Sequence, residues 1–226
     1  MQENAKQLAA KRALEFIGDA RIVGLGTGST AKYAIETIAE MVRSGAEISG
    51  VPTSDASAAM ARQLGIPLVE LAEVQTVDIT IDGADEIDPA FCMIKGGGGA
   101  LTREKLVALA SRRRVYIVDE TKLVDVLGRA RPLPVEVLPF AWTMSARLIA
   151  ELGCEPKRRE QHPGNPFVTD NGNYILDCKF SSIPDPPATE ARVKLIPGVV
   201  ESGLFIDIAD TVVVGFKDRT EVRPRK

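Results

Sequence analysis

Arg21-Ile22-Val23-Gly24-Leu25-Gly26-Thr27-Gly28-Ser29-Thr30 passes from a short apolar run into a turn of small and hydroxylated residues. A helical pattern over 31–42 follows at once. Strand, glycine turn and helix in direct succession make the opening of a βα unit. Upstream, residues 4–17 read as a helix with Leu8, Ala9, Leu14, Phe16 and Ile17 at its apolar positions. Downstream, strand patterns at 47–51, 67–71, 77–81 and 114–118 alternate with helical patterns at 57–64 and 101–113. Such alternation predicts an α/β, Rossmann-like fold: a mostly parallel sheet with helices on both faces. Ligands in these folds sit at the C-terminal ends of the strands, and the polar motifs of this chain fall there.

Past Gly128 the texture changes. Strand patterns start at 131, 154 and 199, helices are expected over 141–152 and 189–196, and Asn171-Gly172 marks the turn of a hairpin over 168–178. The order β-α-β-β-α-β is that of a ferredoxin-like α+β unit. The expected organisation is therefore a Rossmann-like catalytic domain over 1–131 and 206–226, with a small ferredoxin-like domain over 132–205. The strand pattern at 211–216 returns to the first domain.

Composition removes several classes of function. A formal net charge of -3 provides no basic field for nucleic acid. Cys92, Cys154 and Cys178 are scattered without C-x-x-C spacing, which reads as reduced thiols in a cytoplasmic protein. The N-terminus lacks the apolar run of a signal peptide, and no segment is long and apolar enough to span a bilayer. His162 is the one histidine and sits in a Pro/Gly-rich stretch, so a His-rich metal site is not expected.

Three polar clusters remain. In the first, Gly24, Gly26 and Gly28 with Thr27, Ser29 and Thr30 can bring N–H and hydroxyl donors to a phosphate at a helix N-terminus. The same residues equally make a plain strand-to-helix turn. In the second, Asp82, Gly83, Ala84, Asp85 and Glu86 follow the apolar strand ending at Ile81. Carboxylates there can shuttle protons or hold hydroxyls; a polar turn and a divalent-metal site are the alternatives. The third runs from Lys95 through Gly96, Gly97, Gly98 and Gly99 to Glu104 and Lys105. Four glycines in a row are costly in conformational entropy, and they suit a backbone that presents N–H groups to an anion. Glu104 falls in the first turn of the next helix, as a base or simply as a favourable charge on the helix dipole. Taken together, the clusters suit proton transfer beside a carbonyl on a polyol phosphate, with the substrate left open.

Gly24-Leu-Gly-Thr-Gly-Ser-Thr30, Ser54-Asp-Ala-Ser57, Asp82-Gly-Ala-Asp-Glu-Ile87 and Lys95-Gly-Gly-Gly-Gly-Ala-Leu-Thr-Arg-Glu-Lys105 closely resemble the type A ribose-5-phosphate isomerase family. Leu133-Pro-Val-Glu-Val137, Thr169-Asp-Asn-Gly-Asn173 and Ile196-Pro-Gly-Val-Val200 do so too, in order along nearly the whole chain. The resemblance implies interconversion of ribose 5-phosphate and ribulose 5-phosphate through an enediolate, in the pentose phosphate pathway. It implies Glu104 as base, Asp82 and Asp85 as acids on the sugar hydroxyls and oxygens, and Lys95 with the N–H groups of Gly96, Gly97 and Gly98 at the developing oxyanion. Gly83 and Ala84 complete the acidic substrate loop. Thr27, Gly28, Ser29 and Thr30 match a substrate loop, Lys122 a further substrate-binding lysine, and Lys6 a lysine near the phosphate. No metal or organic cofactor, no nucleic acid or membrane partner, and a homodimer or homotetramer are also implied. The His162–Pro166 stretch and the charged tail over 219–226 depart from the pattern outside these blocks.

Two rival classes have features of their own. A sugar-phosphate sensor would use a similar fold without catalysis, yet no basic helix-turn-helix pattern precedes residue 20, and Glu104 and Asp82 are both present. A nucleoside-binding methyltransferase is suggested by Gly24-x-Gly26-x-Gly28, but the acid expected after the second strand is missing.

Overall fold

The apolar run of Ile22–Leu25 is an interior strand of a six-stranded sheet in the computed structural model, which describes residues 2–225. The sheet runs Thr220–Pro224, Thr211–Gly215, Ser111–Asp119, Val77–Gly83, Ile22–Leu25, Ser49–Pro52. All neighbours are parallel except the antiparallel Thr220–Pro224 edge, which closes the charged tail into the sheet. Alternation along the strands puts Val23, Leu25, Ile79, Ile81, Val115, Ile117 and Val213 into one apolar cluster. Helix Gln2–Ala13 covers it with Ala9, Ala10 and Ala13, and helix Ala31–Arg43 with Ala34, Ile35, Ile38 and Ala39, one stripe at helical spacing. Gly24 points the other way: a Cβ there would lie 2.1 Å from Thr80 Oγ1 and 2.8 Å from Val107 Cγ1. Helix Leu101–Leu109 therefore lies against the second face. The mostly parallel α/β sheet is the one the sequence predicts.

Asp78 pins the start of the Ile22–Leu25 strand by accepting the N–H groups of Arg21 and Ile22, both at 2.9 Å. The Ile22 bond is the largest cause holding its carboxyl below the ordinary carboxylate range, against partial desolvation, and the Arg21 bond and the Arg112 charge add to it. A depressed carboxylate stabilises the fold fully above its unfolded pKa and loses that contribution as pH falls through the folded value. The stability difference between the parent and Asp78→Asn, measured by urea unfolding, is therefore expected to be constant above pH ~5 and to shrink below pH ~4. A difference that grows on acidification contradicts this account.

By packing, the chain divides into two units. The first holds the chain through Ala84, Arg103–Lys122 and everything from Ile208; the second holds Asp85–Thr102 and Leu123–Asp207. The second contains an antiparallel sheet ordered Val199–Ser202, Leu133–Val137, Tyr174–Lys179, Glu155–Arg158. That is fourth, first, third, second in chain order, with helices Trp142–Ala150 and Pro186–Lys194 as the crossovers, the ferredoxin-like arrangement. Its core gathers Leu133, Val135, Val137, Ile149, Leu176, Cys178 and Val193.

Local pattern and structure part company at several points. Residues 85–102, 123–131 and 206–207, expected in the first domain, belong to the second unit. The reason is long-range pairing: Glu86–Ile87 pairs with Met93–Ile94, which pairs with Leu204–Phe205, and Cys92, Ile94 and Leu127 join the second core. The expected strand at 67–71 is reduced to a bridge between Leu68 and Gly50 followed by a 3-10 turn over Leu71–Glu73, since Pro67 has no N–H to extend a ladder. The helix from Leu101 stops at Leu109 and not at 113, because Ser111–Asp119 is claimed by the sheet. Asn171-Gly172 does form a turn, with Gly172 at φ +79°, but Tyr174–Lys179 pairs with Leu133–Val137 and Glu155–Arg158. Only the Val168–Tyr174 bridge remains of the expected hairpin.

Candidate active site

The C-terminal ends of the parallel strands carry the candidate residues of the first unit. After Leu25 the chain turns through Gly26–Thr30 into helix Ala31–Arg43, and Gly28 takes φ +106°. The Thr27 N–H donates to Asp82 Oδ1 at 3.0 Å, and the same oxygen takes the Gly83 N–H at 2.7 Å. Asp82 is 1% exposed, so this carboxylate is a buried anchor that joins the first loop to the end of Val77–Gly83. The Thr27 hydroxyl donates to Ser54 Oγ at 2.8 Å and shares a 2.7 Å hydrogen bond with Thr53 Oγ1. That side chain thus braces the loop, while Gly28 and Ser29 are exposed.

Lys6 reaches from helix Gln2–Ala13 to place its Nζ 2.9 Å from Ser29 Oγ. A cation, a hydroxyl and a helix N-terminus then stand together, the donor set that suits a phosphate. Thr30 is buried at the helix start. Gly83 and Ala84 are half-buried after the strand, and Lys122 ends the turn Glu120–Lys122 at the same edge of the sheet. Glu104, in the first turn of helix Leu101–Leu109, is 4% exposed. Its neighbour Arg103 is tied to Asp55 at 2.7 Å, and Ser54 caps the Asp55–Gln63 helix by accepting the Ser57 N–H.

Gly26 packs directly against Asp82. A Cβ there would lie 2.2 Å from Asp82 Oδ1 and 2.6 Å from the Asp82 Cα. Side-chain rotation cannot relieve a clash with Cα. Gly26→Ala is therefore expected to displace Asp82 and Thr27 and to lower kcat/KM about 100-fold, the scale for a misplacement near 1 Å. Steady-state kinetics on a variant that still melts cooperatively checks this; a change under threefold would mean that Asp82 tolerates being moved.

In the second unit, Lys95 is 2% exposed with its ammonium 5.4 Å from the centroid of the Phe205 ring. Gly96 and Gly99 take φ +101° and +86°, and Gly99 N–H closes a turn onto Gly96 O at 3.0 Å. Gly97 N–H donates to Asp85 Oδ2 at 2.8 Å, which joins two of the sequence motifs directly. That N–H is occupied, so the anion-binding part expected of the loop narrows to Lys95, Gly96 and Gly98. Glu86, in the same acidic motif, is turned elsewhere, and its two oxygens accept the N–H groups of Gly128, Ala130 and Arg131.

Sequence reasoning passed over Glu136, which is fully buried and accepts from the Thr102 and Thr169 hydroxyls and the Asn171 and Asn173 amides. A lone acid within the apolar run 133–137 was the available signal, since a buried charge must collect donors. Among the described residues no group of three or more His, Cys, Asp or Glu side chains is placed to hold a metal ion.

Comparison with known proteins points one way. A family model described as ribose 5-phosphate isomerase A (phosphoriboisomerase A) matches residues 49–219. The chain is similar to the ribose-5-phosphate isomerase A of Gloeobacter violaceus, 53% identical over 96% of this chain and 94% of that one. It is also similar to the protein of that name from Parvibaculum lavamentivorans, 50% identical over 97% of both. Among solved structures, a D-ribose-5-phosphate isomerase in complex with phospho-erythronic acid superposes with a TM-score of 0.96 at 41% identity over 100% of both chains. The ribose 5-phosphate isomerase A of Methanocaldococcus jannaschii gives 0.94 at 40% identity, over 99% of this chain and 100% of that one.

Proposed function

The chain belongs to the ribose 5-phosphate isomerase A family, and from that membership we propose how its residues interconvert D-ribose 5-phosphate and D-ribulose 5-phosphate. The observation that carries the proposal is the Thr27–Asp82 hydrogen bond, which fixes the Lys6–Ser29 donor set and a buried carboxylate to one strand end. A sugar phosphate held there by its phosphate has its hydroxylated carbons available to Asp82. The phospho-erythronic acid bound by the similar solved enzyme is itself a phosphorylated polyol acid, which supports this choice of ligand.

In the forward direction Glu104 removes the proton from C2 of the open-chain aldose. The electrons of the C2–H bond form the C1–C2 double bond, and the carbonyl oxygen O1 becomes an oxyanion. Lys95, with the Gly96 and Gly98 N–H groups, stabilises that charge. Asp82 and Asp85 carry a proton from the C2 hydroxyl to O1. Glu104, its proton exchanging with solvent while the enediolate is bound, then protonates C1, leaving the C2 carbonyl of the ketose. Lys6, Ser29, Thr30 and Lys122 hold the phosphate throughout.

Proton NMR of ribose 5-phosphate incubated with the protein in heavy water containing EDTA tests the reading. Ribulose 5-phosphate carrying solvent deuterium at C1 is the expected product. Turnover with little deuterium would point instead to a shielded proton transfer or a hydride shift. Binding without product would move the protein to the sensor class.

A further inference from the structure

The four-glycine loop has almost no side-chain restraint of its own, and what orients its peptide planes is a residue far away in sequence. Arg159 Nη1 donates to Gly96 O at 2.9 Å and to Gly97 O at 3.2 Å. The other edge of the same guanidinium is held by Asp177, with Nε to Oδ2 at 2.9 Å and Nη2 to Oδ1 at 2.5 Å. The Arg159 backbone is fixed as well, its N–H on Ile175 O at 2.8 Å and its carbonyl taking the Phe167 N–H at 2.9 Å. The Phe167 ring lies 5.7 Å from the guanidinium carbon and fills the space where a Cβ on Gly99 would stand. Arg159 and Asp177 are 15% and 25% exposed as side chains, so the pair is largely shielded from water.

A peptide unit is planar, with its C=O and N–H pointing in opposite directions. The peptide that joins Gly96 to Gly97 is therefore gripped at both ends: Arg159 holds its oxygen, and its N–H is the one donated to Asp85. The next peptide has its oxygen, that of Gly97, on the same guanidinium, which turns its N–H, that of Gly98, away from Arg159. A cation on a carbonyl oxygen also polarises the unit and makes its N–H a stronger donor. We infer that Arg159, carried by Asp177, is a positioning residue for the isomerase reaction, setting two peptide planes and through them the Asp85 carboxylate and the direction of the Gly98 N–H. The inference rests on the proposed roles of Asp85 and the glycine loop. Arg159 touches no reacting atom in this account, and its effect passes through those two groups.

The test is steady-state kinetics and thermal melting of Arg159→Met, Arg159→Lys and Arg131→Ala, with Arg159→Met repeated in an Asp85→Asn background. Arg131 lines the same cavity as Asp85 and Arg159 and serves as the control for loss of a nearby positive charge. Arg159→Met is expected to lower kcat by about 30- to 100-fold with KM inside about threefold, as for misplaced catalytic groups. Lysine is a point charge that cannot fork onto a carboxylate and two carbonyls, so Arg159→Lys should regain less than about tenfold. If Arg159 acts through Asp85, its loss in the Asp85→Asn background should cost no more than about threefold further.

The inference is overturned by Arg159→Met activity within twofold of the parent, by a full independent loss in the Asp85→Asn background, by a rise in KM alone, or by an equal loss in Arg131→Ala. Should Arg159→Met fail to fold, Asp177→Asn is read by the same criteria, and failure of both to fold assigns the pair a structural role and overturns the inference. Asp85→Asn alone separates the two levels: undiminished turnover there removes the underlying site reading, whatever Arg159 does.

Discussion

Glu104→Gln is expected to lower kcat by about 10²- to 10⁴-fold, the range that a positioned general base supplies. Glutamine has the size and planarity of glutamate, and the residue is 4% exposed, so packing at the start of helix Leu101–Leu109 should be retained. KM should therefore stay within a few-fold, because the proposed phosphate donors are Lys6, Ser29, Thr30 and Lys122 and not the base. Loss of kcat with KM unchanged identifies a group needed in the transition state more than in the ground state. Deuterium wash-in from heavy water should fall by the same factor as turnover, since both require C–H cleavage by this carboxylate. Wash-in at the parent rate with turnover abolished would assign proton removal to another residue. Turnover within threefold of the parent would remove Glu104 from the mechanism.

Lys95→Met should cost about 10²- to 10³-fold in kcat/KM, the effect of losing one preorganised oxyanion donor. Methionine keeps an unbranched stem beside Phe205 while deleting the charge, so the buried volume changes little. The low-dielectric setting sets the expected size: in the proposed role, an ammonium that is 2% exposed would act on the enediolate with little competition from water. Melting temperature separates this from a packing defect. A variant that melts like the parent and keeps more than a third of kcat/KM would show that Lys95 does not carry the oxyanion. Binding of a phosphorylated sugar acid should weaken alongside the rate, because its carboxylate resembles the enediolate; isothermal titration reads this without turnover.

Much of the candidate site could be proposed before any fold was known. Glycines in a row, carboxylates after an apolar strand and an acid in a helix's first turn are local signals, each set by neighbours a few residues away. Their assignment to reaction roles came from resemblance to a family, since spacing alone left phosphate cradle against plain turn, and base against helix-dipole residue, undecided. The acidic motif also divides its labour in a way the string of letters hides. Asp82 anchors Thr27, Asp85 takes Gly97 N–H, and Glu86 binds the turn at Gly128.

By itself the sequence determined the alternation of strand and helix, the glycine turn after Ile22–Leu25, the ferredoxin-like order of the second unit and the identity of the acids and lysines. These follow from periodicities of about 2 and 3.6 residues and from glycine's backbone freedom, which are local properties. Only the tertiary structure decided that residues 85–102 pack with the second unit, that Glu136 collects its donors, and that Arg159 holds the carbonyls of Gly96 and Gly97. Arg159 lies 63 residues from Gly96 within the charged run Lys157-Arg158-Arg159-Glu160, where nothing local distinguishes it from its neighbours. A hydrogen bond across such a span depends on where two strands come to lie side by side, and strand pairing is set by the burial of whole faces rather than by the residues that finally touch.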